Sequence, residues 1–112
     1  FSGTNDNGTA ALAHWVLPTA AYMEKDGTFV NCHGRVQRIG RAFPPIGDSW
    51  EDWRMLLELA ANLGLSLDWR GPEEIFQELA GVAGPFQGLS YEMIGAQGLK
   101  LRGTEPLAWQ VS

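Results

Sequence analysis

The sequence predicts a small α+β protein, and three features predict it. Short apolar runs of strand length occur near the N-terminus. An Asp26-Gly27 turn signal is followed by the β-prone Thr28, Phe29 and Val30. Two amphipathic helical patterns then follow a pair of prolines. The chain has 112 residues, enough for one domain with a modest core. Hydrophobic residues make up 45% and charged residues 19%, a balance that excludes a disordered segment.

The first residues, "FSGTNDNG", have neither a basic stretch nor an apolar one, so they do not read as a signal peptide. The chain opens on Phe1 and is expected to be a fragment or processed piece of a longer polypeptide. "GTNDNG" resembles a loop that could approach a phosphate, but it lacks the lysine and spacing of a P-loop. "LAHWVLPTAAYM" is an apolar run stopped by Pro18, and a strand is expected over 12–17, with Trp15 in the core. "KDGTFVN" and "CHGRVQRI", separated by the Gly34 turn, predict a hairpin.

"FPPIGDS" is a linker whose prolines forbid a helix through it. "SWEDWRMLLELAANLG" then predicts a helix from about Trp50 to Leu63, with Ser49 as N-cap and Asp52 completing a weak capping box. Trp53, Leu56, Leu57, Ala60 and Leu63 share one face, so this helix is the expected stability centre. Gly64 is placed to end it in a left-handed conformation. "PEEIFQELAG" predicts a second helix, with Pro72 first and Ile75, Phe76 and Leu79 as its buried stripe. "SYEMIG" predicts one further helical turn. Residues 1–43 therefore form a strand and hairpin segment, 44–98 a linker and helical segment, and 99–112 an irregular tail.

Charge excludes nucleic acid as a partner. Residues 1–47 carry four bases against three acids, and residues 48–112 carry four bases against ten acids. No run is long enough to insert into a membrane. One cysteine, Cys32, excludes an internal disulfide and an iron–sulfur cluster held by this chain alone. Cys32, His33 and His14 show no ligand spacing, so no metal, cofactor-binding or catalytic residue is assigned. The expectation is a half-buried cysteine and a surface histidine. Glu24 and Asp26 could pair as acid and base, but Asp26-Gly27 is already explained as a turn. Arg35, Arg38 and Arg41 recur every three residues and could meet an anionic partner. With Trp50 and Trp69, Arg38 and Arg41 form the candidate interface; Trp109 also lies near an end.

Within Ala21–Arg38 and the residues before it, Leu17, Pro18, Glu24, Gly27, Thr28, Asn31, Gly34, Arg35 and Gln37 form an ordered set. The set resembles a signature of the molybdopterin oxidoreductase superfamily: Leu-Pro, then Glu-x-x-Gly-Thr-aromatic-x-Asn, then Gly-Arg-x-Gln. Formate dehydrogenases share that signature with the large iron–sulfur subunit of NADH–quinone oxidoreductase, respiratory complex I. The stretch "AFPPIGDSWEDWRMLLELAANLGLSLDW" resembles the latter, and the resemblance covers roughly 12–98. Cys32-His33 replaces the family's usual Thr-Glu, and His14-Trp15 replaces Ala-Asp.

This resemblance implies a fragment of a molybdopterin oxidoreductase-like domain. It implies a structural, cofactor-free segment of the large iron–sulfur subunit, with iron–sulfur clusters elsewhere in the parent. The nine motif residues would shape and brace the hairpin. Expected partners are the remainder of that subunit and other complex I subunits, in a peripheral arm on the cytoplasmic face of the inner membrane. Two rival readings remain. One is a fragment of an active molybdopterin oxidoreductase such as formate dehydrogenase. The other is an independent protein-interaction module.

Overall fold

A computed structural model describes residues 1–103. Pro106, Trp109 and most of the expected tail lie outside the described residues. The α+β class is observed, but the sequential division into strand, helical and tail segments is not. Two compact units interleave along the chain: Phe1–Asp26 with Gly40–Gly71, and Gly27–Ile39 with the described residues from Pro72 to Gly103.

In the first unit, strand β1 (Ser2–Gly3) pairs in parallel with β2 (Leu17–Pro18). Of the predicted strand over 12–17 only Leu17 lies in this pairing, although the Phe1 amino group also donates to Trp15 O at 2.8 Å. Asn7 Oδ1 accepts from the Thr9 and Ala10 N–H groups at 2.9 and 3.1 Å, and Ala10–Leu12 form a 3₁₀ turn. Trp15 is 82% exposed, so it is not a core residue. Pro18 is tolerated because the pairing takes its donors from Leu17, Thr19 and Ala20.

Helix α1 (Asp52–Asn62) starts two residues later than its pattern predicts. The cause is long-range. Trp50 N–H donates to Pro18 O, and Ala20 N–H donates to Trp50 O, which holds Trp50 extended beside Thr19. Ser49 is consequently not the N-cap; its hydroxyl donates to Ile46 O at 2.7 Å. Glu51 occupies the cap position without a side-chain cap bond. At the other end Gly64 has φ 83°. Its N–H reaches Ala61 O at 3.0 Å, and Leu65 N–H reaches Ala60 O at 2.9 Å. This is a Schellman closure, which only a left-handed residue permits without strain. No residue of α1 is buried, so the expected stability centre lies elsewhere.

It lies in the second unit. Strands β3 (Gly27–Val30) and β4 (Arg35–Ile39) form the predicted antiparallel hairpin. Strand β5 (Leu99–Lys100) adds to β4, where an irregular tail was expected. Helix α2 (Pro72–Val82) buries Phe76 and Ala80, while Leu79 is 37% exposed. The buried stripe is therefore rotated by one position from the pattern. Helix α3 (Tyr91–Ile94) is capped by Ser90, whose hydroxyl accepts from Met93 N–H.

Val36, Phe76, Ala80, Tyr91, Ile94 and Leu101 form one buried cluster, with Phe86, Leu89 and Leu99 packed against it. Phe76 meets Phe86 edge-on at 6.0 Å and Tyr91 at 5.4 Å between ring centroids. Both separations lie in the favourable range for aromatic pairs. Phe76→Ala should cost about 3–5 kcal/mol, as for aromatic deletions in a closed core. The half-buried Leu57→Ala should cost less. Urea midpoints with unchanged slope check the order, and the reverse order would contradict this placement of the core.

Candidate functional site

The motif residues fall in both units. Glu24 is buried in the first, and its carboxylate accepts from Ala21 N–H at 2.8 Å while Glu24 N–H returns to Ala21 O. Asp26 accepts from Arg41 N–H at 2.9 Å. Each carboxylate accepts from a backbone N–H within its own unit. Lys25 forms an ion pair with Asp52. Arg41 stands 3.6 Å from Glu51, whose other oxygen accepts from the Trp53 indole. Arg54 lies over the Trp50 ring at 4.9 Å. Trp69 is half-buried and His14 exposed.

In the second unit the hairpin turn is built around Asn31. Its Oδ1 accepts from the His33 and Arg35 N–H groups, both at 3.0 Å. Gly34 N–H closes onto Asn31 O at 2.9 Å. Asn supplies an acceptor that caps a tight turn from inside, and Gly34 supplies φ 70°. Thr28 pairs with Arg38, and Gln37 with Phe29. Cys32 and His33 are exposed at the tip, so Cys32 is not half-buried.

Arg35 donates through one guanidinium nitrogen to Gly98 O at 3.0 Å and Gln97 O at 3.3 Å. Lys100 Nζ donates to His33 O at 2.6 Å, and Leu101 N–H to Gly34 O at 2.8 Å. Arg38 stacks over the Tyr91 ring at 4.5 Å. The spacing of the arginines signalled neither contact.

Gly98 was missed by sequence reading. It has φ 73°, and a Cβ there would stand 2.5 Å from Val36 O and 2.6 Å from Gln37 Cγ. Only glycine fits this approach. A glycine at a loop end looks unremarkable until its partner, 63 residues away in contact with Arg35, is seen.

No group of three or more His, Cys, Asp or Glu able to hold a metal occurs among the described residues. The side chains of Glu24, Asn31 and Arg35 each bond to the chain's own backbone. No helix among the described residues is long and apolar enough to cross a membrane.

The molybdopterin oxidoreductase family model matches residues 1–62, more than half of the chain. The chain belongs to the molybdopterin oxidoreductase family. It is 44% identical over 94 residues to "F420-dependent formate dehydrogenase 2 subunit alpha" of Methanococcus maripaludis, covering 82% of this chain and 14% of the relative. It is 38% identical over 104 residues to a Staphylococcus haemolyticus protein that carries a provisional formate dehydrogenase name, covering 93% of this chain and 10% of the relative. A like-named Staphylococcus aureus (strain USA300) protein is 38% identical over 103 residues, 92% of this chain and 10% of the relative. The chain thus spans between 10% and 14% of the length of these relatives. Their names favour the formate dehydrogenase reading over the complex I reading.

Gly98→Ala should destabilise by at least about 2 kcal/mol, because strain and a backbone clash act together. Asn31→Ala should cost about 0.5–1.5 kcal/mol, because the two turn hydrogen bonds it removes are exposed and water replaces the acceptor. Denaturant titration checks both, and midpoints unchanged from the parent chain would refute this account of the turn.

Proposed function

We propose that the chain is a segment of the catalytic subunit of a molybdopterin oxidoreductase of the formate dehydrogenase type. The carrying observation is identity of 38–44% across most of this chain to relatives bearing that name. Within the subunit the segment contributes architecture. The hairpin turn, braced by Asn31, Arg35 and Gly98, presents a rigid edge to the rest of the domain. The polar motif side chains that make contacts turn inward to backbone. The segment on this reading supplies no metal ligand, and its partner is the remainder of the same polypeptide.

The molybdopterin group, bound elsewhere in such a subunit, would supply the redox chemistry. No step of that chemistry is assigned to a residue of this chain. Elemental analysis of the purified chain should find no stoichiometric molybdenum, iron or zinc; about one metal per chain would overturn the cofactor-free assignment. A chimera tests the activity class. With this chain in place of the aligned 94 residues of the Methanococcus maripaludis subunit, formate oxidation should persist. A folded, metal-loaded chimera unable to oxidise formate would overturn it.

A further inference from the structure

Helix α1 carries more apolar surface than its own unit covers. Trp53, Leu57 and Ala60 are half-buried, yet Leu56, Leu59 and Leu63 are 56%, 46% and 72% exposed. At about 100° per residue the two sets lie side by side on the helix, so its apolar arc is wider than one neighbour can cover. A helix apolar over so wide an arc is ordinarily packed on two sides.

Beside this second stripe runs a groove of ≈ 330 Å³ whose apolar lining includes Leu17, Pro18, Trp50, Met55 and Leu59. Asp48 and Glu58 stand on the groove, and among the described residues no lysine or arginine lines it. A surface of this kind suits an apolar segment with a basic flank.

We infer that this face of α1 is an internal docking surface, taking an apolar, basic-flanked segment of the longer polypeptide to which the chain belongs. The inference rests on the proposed reading as part of a formate dehydrogenase-type subunit. It adds the face through which the remainder packs. The relatives supply the argument for an occupant in the same polypeptide: about nine-tenths of their length lies outside the region matched by this chain.

The test compares the chain alone with the same chimera in the Methanococcus maripaludis subunit. The probes are the neutral dye Nile red and the peroxide oxidation rate of Met55. The chain alone should bind Nile red, and Leu59→Glu should weaken binding about tenfold, the worth of one buried leucine. Peptide mapping after peroxide should show Met55 protected about tenfold or more in the chimera, a readout that needs no substitution. The chimera should also lose the Leu59-dependent dye site.

Dye binding and Met55 oxidation unchanged in the chimera would overturn the inference. A concentration-dependent dimer of the chain alone that Leu59→Glu dissolves would assign the face to a second copy, and would also overturn it. Protection of Met55 in a chimera that fails to oxidise formate would leave the docking face standing and remove the activity class. A chimera that does not fold counts against both.

Discussion

The second unit depends on one steric constraint, the contact of the Gly98 backbone with β4. A Cβ at Gly98 would meet the Val36 carbonyl at 2.5 Å, so the chain can come this close only without a side chain. That approach brings the Gln97 and Gly98 carbonyls within reach of Arg35. It also lets β5 pair with β4 and carries Leu101 into the cluster beside the fully buried Val36. The turn around Asn31 fixes the other end of the same strand. Packing and hydrogen bonding are thus one arrangement: moving the Gly98 backbone outward would loosen the Arg35 bonds, the strand pairing and the Leu101 contact together.

The first unit is held differently. Its buried residues are small or polar: Ala10, Thr19, Ala20, Glu24 and Glu51. Backbone bonds do much of the joining, with residues 18–20 paired to β1 on one side and Trp50 on the other. Charge completes it, through Lys25 with Asp52 and Arg41 with Glu51. Partly exposed ion pairs contribute little stability by themselves, about 0–1 kcal/mol each. Their value here is geometric: they join the segments flanking the hairpin, at Lys25 and Arg41, to the start of α1 at Asp52 and Glu51. A unit with so little buried apolar area cannot draw on the hydrophobic effect as the second unit does.

The parts legible in the sequence were those governed by local rules. Helical periodicity gave α1, α2 and the α3 turn, and Gly64 acts as a terminus of the expected kind. The Asp26-Gly27 and Gly34 signals gave the hairpin. The misses share a cause, since each is imposed by a distant residue. Trp50 is withheld from α1 by its pairing with Thr19. The core lies beneath α2, at Phe76 and Ala80, because Tyr91, Ile94 and Leu101 complete it there. Strand β5 has only two residues, too few for any alternation to show. At the candidate site, Asn31, Gly34 and Arg35 were named through resemblance, whereas the backbone they brace against at 97–98 had no signal of its own.

The hairpin lies in the middle of the first unit's sequence, yet its partners are drawn from the end of the described chain. Lys100 meets the turn 67 residues after His33. A ribosome adding about 5–20 residues per second leaves β3 and β4 waiting several seconds before that partner exists. Until α2 and α3 follow, the core-facing side of β4 lacks Phe76, Ala80, Tyr91 and Ile94, and a lone two-stranded hairpin is marginal in water. Vectorial synthesis therefore delivers β5 after both α2 and α3. A truncation before Leu99 would remove the β5 pairing from β4 and the Leu101 contact from the cluster around Val36.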